Sequence, residues 1–216
     1  MPAPEPPDTD LVARVATGDR EAFAALFRRR QRDVYRFALH MTASPSVAED
    51  VAQEVFLAVM RDAGRYDPAR ATVIAWLCGI ARNQVRRRLE RDRMLQPVGA
   101  LDQDDVDHAF DTGIVASDGD VLADLTTAEQ VDALRQAVLT LPVAYREVLV
   151  LCDLQEVSYA DAAAVLGCAL GTVRSRLHRA RALLTTKMTH QKTVASGLSR
   201  TDDDFGRTFR TSRKFA

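Results

Sequence analysis

Apolar residues recur at intervals of three and four through two long stretches of this chain, and no segment alternates with a period of two. The pattern predicts an all-α protein without a sheet. The first stretch runs from Asp10 to Arg93 and is interrupted by turn signals at Gly18-Asp19, Ser44-Pro45-Ser46, Gly64 and Asp67-Pro68, which divide it into three or four helices. The second runs from Thr127 to Leu184. It opens with Thr127-x-x-Gln130, which fits a capping box, and breaks at Leu141-Pro142, where proline suits the first turn of a new helix. Each helix has a legible inner face. Ala48, Val51, Ala52, Val55 and Val59 form one stripe, with Asp50, Gln53, Glu54 and Leu57 on the opposite side. Trp76, Leu77, Ile80 and Ala81 form a second, crowded by Arg82, Asn83, Arg86, Arg87 and Arg88. In GTVRSRLHRAR, Val173, Leu177 and Ala180 continue to Leu184 as one narrow stripe, while Ser175, His178 and Arg179 point away from it.

Charge sharpens this division. The net charge of −1 is a cancellation: residues 1–93 hold 16 Lys+Arg against 13 Asp+Glu, and residues 94–128 hold none against eight. Residues 129–184 balance at six each, and residues 185–216 hold seven against three. The acidic, aperiodic 94–128 segment buries too little apolar surface to offset its ordering and reads as a flexible linker. By the same criterion residues 1–9 and the basic 185–216 tail are expected to be disordered. Two small helical domains, 10–93 and 129–184, remain. Cys78, Cys152 and Cys168 have no CxxC or CxH partner, so neither a disulfide framework nor a metal site is expected. No apolar run approaches a membrane span and the Pro-rich start lacks a signal peptide's basic and apolar parts, so the expectation is a cytoplasmic protein without membrane insertion. Gly-rich phosphate loops, nucleophile elbows and cofactor fingerprints are missing from the sequence, which argues against an enzyme and against a cofactor.

The second block carries the clearest chemistry. Ser158-Tyr159-Ala160-Asp161 fits a capping box in which the serine oxygen takes the N–H three residues on and the Asp161 carboxylate reaches back. The short helix so begun ends at Gly167, a left-handed C-cap candidate, and the arginine-bearing helix follows after a tight turn. That is a helix-turn-helix, whose second helix enters the major groove. No Asp or Glu occurs between Asp161 and Asp202, so the like charges repel unless phosphates neutralise them. The DNA-contacting candidates are Thr172, Arg174, Ser175, Arg176, His178, Arg179 and Arg181.

Leu141 to Leu184, with its signatures LP-x3-RE, SY-x2-A and GTV-x-SRL-x-RAR, resembles region 4 of the extracytoplasmic-function (ECF) sigma factors of the sigma-70 family. AEDVAQEVFLAVM, from Ala48, and WLCGIARNQVRRRLERDR, from Trp76, resemble region 2. The family usually has a glycine near Gln155-Glu156, a larger aliphatic near Ala163 and a proline near Ala169, where this chain departs. The resemblance implies a subunit that binds core RNA polymerase and directs initiation at −35 and −10 elements. It implies that Asp50, Gln53, Glu54 and Leu57 dock on the β′ clamp helices and that region 4 meets the β flap. Tyr66, Trp76, Arg82, Asn83, Arg86 and Arg87 would engage the −10 element as a single strand, and an anti-sigma factor is an implied partner. The rival is a free-standing helix-turn-helix repressor or activator, which has no use for the region 2-like block. Promoter elements about two and a half turns apart require the blocks to sit on the order of 80 Å from one another. A relaxed 35-residue linker reaches only ~30–35 Å, so polymerase must hold it open. The free chain is accordingly expected to be compact, with the acidic linker screening the arginine faces.

Overall fold

The computed structural model describes residues 5–95 and 127–198, all helix and turn, with no strand among them. The first block comprises α1 (Asp8–Ala16), α2 (Arg20–Thr42), α3 (Pro45–Asp62), a short 3-10 turn at Ala63–Arg65, and α4 (Val73–Leu95). The second comprises α5 (Thr127–Leu139), α6 (Val143–Leu149), a π-helical turn at Val150–Leu154, α7 (Tyr159–Leu166) and α8 (Leu170–Leu198).

Local chemistry sets these boundaries. Asp19 caps α2 by accepting the N–H groups of Glu21 and Ala22, and Ser44 caps α3 by accepting that of Val47, with Pro45 following in the first turn. Helix α2 ends at Ala43, held in the left-handed region at φ 61°. The Gln155 N–H reaches back five residues to the Val150 carbonyl, which widens the turn after α6, and the chain leaves it through Glu156 at φ 54°. Glu156 thus takes the left-handed conformation at the place where the resembling family has glycine.

Helix α2 is central to the first block and packs on α1, α3 and α4; α8 organises the second, against α6 and α7. Leu26, Val34, Phe37, Val51, Val55, Leu77 and Val85 are fully buried, and Phe23, Phe27 and Phe56 form an aromatic cluster with ring centroids 4.8 to 6.3 Å apart. The core does not stop at the block boundary. Val148, Leu149, Val150, Leu151, Val173 and Leu177 belong to the same buried cluster as the first block's apolar residues. Helix α4 packs against α7, and α2 against α5 and the π-helical turn. Polar contacts reinforce the seam: Arg146 donates to the Met41 carbonyl at 2.9 Å and also to those of Leu139 and Leu141, and Arg36 donates to the Leu154 carbonyl at 3.3 Å. Burial lowers the Arg146 pKa from its ordinary value.

Several expectations are corrected. Residues 5–7 are irregular but held in place, and the helix starts before Asp10: Asp8 opens α1, its carboxylate bridges Arg29 and Arg30, and Glu5 and the Pro6 carbonyl also hold Arg29. The chain does not become irregular at Thr185 either, since α8 continues without a break to Leu198. The hydroxyls of Thr185 and Thr186 are absorbed by the carbonyls four residues before them. Pro142 is the N-cap of α6 rather than its first residue. The acidic segment 96–126 and residues 199–216 lie outside the described residues, as do the side chains of Thr127 and Gln130.

Candidate nucleic-acid interface

Ser158 Oγ accepts the Asp161 N–H at 3.1 Å, and Gly167 closes α7 at φ 67°, a conformation in which a Cβ would be strained. The turn is therefore as expected, with one difference: the Asp161 carboxylate does not reach back but accepts from the Thr72 hydroxyl, across the seam, at 2.9 Å. Helix α8 buries Val173, Leu177 and Ala180 and exposes Arg174, Ser175, His178 and Arg179. Thr172 and Arg176 are half-buried, and Ser175 Oγ donates to the Thr172 carbonyl at 3.1 Å. Arg181 is exposed as well, but it is tied to an acid. Its guanidinium forms a two-pronged pair with Asp153, at 2.6 and 2.9 Å, which raises its pKa above the ordinary arginine value. Asp153 is distant in sequence, so the acid-free run in α8 concealed this partner.

The predicted single-strand contacts fall at a second place. Tyr66 and Trp76 stack with ring centroids 5.1 Å apart, and the Tyr66 hydroxyl is anchored on the Ala71 carbonyl at 3.0 Å. With Asn83 they line a cleft of about 540 Å³, which Arg65 and Arg70 join from the loop before α4 and which Ala164 and Val165 of α7 close. Asn83, Arg86 and Arg87 are exposed. Arg82 is not: its Nε lies 2.9 Å from Glu147 Oε1, and Nη1 donates to the Val165 carbonyl at 3.2 Å. In this closed arrangement Arg82 is a seam residue, because the second block covers it. Local sequence pattern does not show that Glu147, within the LP-x3-RE signature, meets Arg82 of the stretch that begins at Trp76.

The outer face of α3 is the third feature. Asp50, Gln53 and Leu57 are exposed, Glu54 is half-buried, and Arg88 of α4 bridges Asp50 and Glu54 at 3.3 and 2.6 Å. Leu57 is 57% exposed and Met60, three residues on, is 50% exposed, an apolar pair with acids beside it. Met60 was overlooked, although its i+3 spacing from Leu57 is a usable signal. No group of His, Cys, Asp and Glu side chains suited to a metal ion occurs among the described residues.

Comparison with known proteins identifies two family regions in the chain. Residues 26–94 match the family "Sigma-70 region 2", and residues 132–184 match "Sigma-70, region 4". The ECF RNA polymerase sigma factor SigM of Mycobacterium tuberculosis is 37% identical over 179 residues, 82% of each chain. The chain belongs to the ECF sigma factors. SigC of the same organism is 34% identical over 180 residues, covering 80% of this chain and 86% of SigC. Among solved structures, CnrH in complex with the cytosolic domain of CnrY superposes with a TM-score of 0.61 at 25% identity, over 85% of this chain and 97% of CnrH. The sigma factor RpoE of Bartonella quintana, solved with the anti-sigma factor NepR, shares the fold at TM-score 0.58 and 23% identity, over 77% and 96% of the two chains. As an ECF sigma factor the chain binds core RNA polymerase and directs transcription initiation at promoters. No helix among the described residues is long and apolar enough to cross a membrane.

Proposed function

We propose that this sigma factor divides promoter recognition between its two helical bodies, 10–93 and 129–184. Thr172, Arg174, Ser175, Arg176, His178 and Arg179 read the −35 element as duplex, α8 entering the major groove by its N-terminal turns. Carrying this reading is the face of α8 itself: arginines and a histidine exposed over a fully buried Val173-Leu177-Ala180 stripe. Arg181 is assigned to positioning, through Asp153. Tyr66, Trp76, Asn83, Arg86 and Arg87, together with Arg82 once uncovered, take the −10 element as a single strand, since stacking rings beside an exposed amide and a basic rim suit unpaired bases.

Asp50, Gln53, Glu54 and Leu57, extended by Met60, dock on the β′ clamp helices, with region 4 on the β flap. The protein acts in the cytoplasm, where polymerase is, as a regulatory subunit without chemistry of its own. An anti-sigma factor is a further proposed partner, because a subunit that redirects polymerase requires restraint. Run-off transcription with purified core polymerase tests these roles. Asn83→Ala should lower initiation at every promoter used while leaving core binding intact, and Leu57→Asp should lower core binding itself. Unchanged initiation by Asn83→Ala removes the −10 assignment.

A further inference from the structure

The second body is seated on the first body's proposed −10 reading face, and its contacts follow a chemical logic. A single DNA strand offers anionic oxygens to cationic and hydroxyl donors and flat rings to an apolar platform. Glu147 brings a carboxylate to Arg82 Nε at 2.9 Å, and the Val165 carbonyl accepts from the same guanidinium at 3.2 Å. Asp161 brings a second carboxylate to the Thr72 hydroxyl at 2.9 Å. The Val165 methyls stand over Gly79, where an added Cβ would meet them at 3.8 Å, and Ala164 and Val165 wall the Tyr66-Trp76 cleft. We infer that Glu147 and helix α7 form an intramolecular surrogate for the −10 strand, occupying its donors and walling off its aromatic cleft in competition with DNA.

The inference rests on the −10 assignment and adds an occupant to it. Arg82 cannot serve both partners, since its side chain is 12% exposed and Glu147's is 5% exposed in the closed form. The same burial makes the closed pair less sensitive to salt than a phosphate contact, so rising salt favours closure over DNA. Closure also brings into contact two bodies that must stand on the order of 80 Å apart on a promoter. Reading both elements and keeping the surrogate seated are mutually exclusive. Binding of a strand by the chain alone is weakened in proportion to the fraction of time the seam is open.

The test uses the full chain and a short fluorescent single-stranded DNA of random sequence. Val165→Glu places a charge in the seam and should expand the chain in small-angle scattering and tighten strand binding by about tenfold or more. The added negative charge opposes DNA binding, so a gain cannot come from simple attraction. Asp161→Asn should shift affinity in the same direction by a smaller factor, and it keeps the test intact if Val165→Glu does not fold. Core polymerase saturated with wild-type or variant chain should initiate equally from a genomic DNA template. An expanded Val165→Glu chain that binds no tighter overturns the surrogate, and so does a chain that stays compact while Asp161→Asn binds as wild type. If holoenzyme carrying Asn83→Ala initiates as well as wild type, the −10 assignment fails, a result separate from both.

Discussion

The sharpest prediction concerns two arginines seven residues apart on α8. Arg174 is exposed and forms no ion pair among the described residues, whereas Arg181 is held by both Asp153 carboxylate oxygens at 2.6 and 2.9 Å. Each phosphate that a cation neutralises contributes about 0.9 to the slope of log affinity against log salt. Over a rise from ~50 to ~200 mM, one such contact is therefore worth about 3.5-fold in affinity. Arg174→Ala and Arg179→Ala should each flatten the holoenzyme's salt dependence on a −35-bearing duplex by about that factor. Arg181→Ala should flatten it much less, because Asp153 has already balanced the charge. Asp153→Asn should steepen it, by releasing the guanidinium toward the backbone. Fluorescence anisotropy across a salt series measures all four, and core polymerase's own contacts cancel in the differences. If Arg181→Ala flattens the slope as much as Arg174→Ala, or Asp153→Asn leaves it unchanged, Asp153 yields Arg181 to DNA and the positioning role is wrong.

Further outcomes follow from backbone and burial. Ala43→Gly and Glu156→Gly relieve left-handed backbone at φ 61° and 54° and should each stabilise the fold by roughly 0.5–1 kcal/mol, raising Tm by a few degrees in a thermal melt. Phe37→Ala empties a fully buried site and should cost about 3–5 kcal/mol in denaturant unfolding. Leu57→Asp should weaken core polymerase binding by at least ~tenfold while leaving circular dichroism unchanged, as expected of an interface anchor that is exposed in the isolated chain. Burial, then Arg135 and Arg36, depress the pKa of His40 below 6.5, so its neutral form stabilises the fold above that pH. This contribution is lost as pH falls from 6.5 through the depressed value, and His40→Gln should flatten the acid limb of a stability profile. Cys78, its thiol pushed up to about 12 by burial, should resist thiol reagents at pH 8 until the chain is unfolded.

Periodicity was a good guide to helices because each has a face that must be buried and one that need not be. Val173, Leu177 and Ala180 lie where a 3.6-residue period puts them, and Ser158 and Gly167 bound the short helix as their side-chain chemistry requires. What escaped was long-range pairing. Asp153 with Arg181, Asp161 with Thr72 and Glu147 with Arg82 join residues 28, 89 and 65 positions apart, and nothing in local spacing encodes such partners. The extents of helices α1 and α8 escaped for a related reason. Asp8 is ordered by Arg29 and Arg30 from another helix, and α8 persists past Leu184 on backbone bonds that a run of threonines does not announce.

Helix α8 has a mechanical consequence. Twenty-nine residues without a break make a rod of roughly 43 Å, with the turns proposed to read the groove at one end and Leu198 at the other. A tilt of only about 5° about the near end displaces the far end by some ~4 Å, and a force on the far end is returned to the reading turns as torque. Whatever grips the last turns of that rod holds a lever on promoter choice.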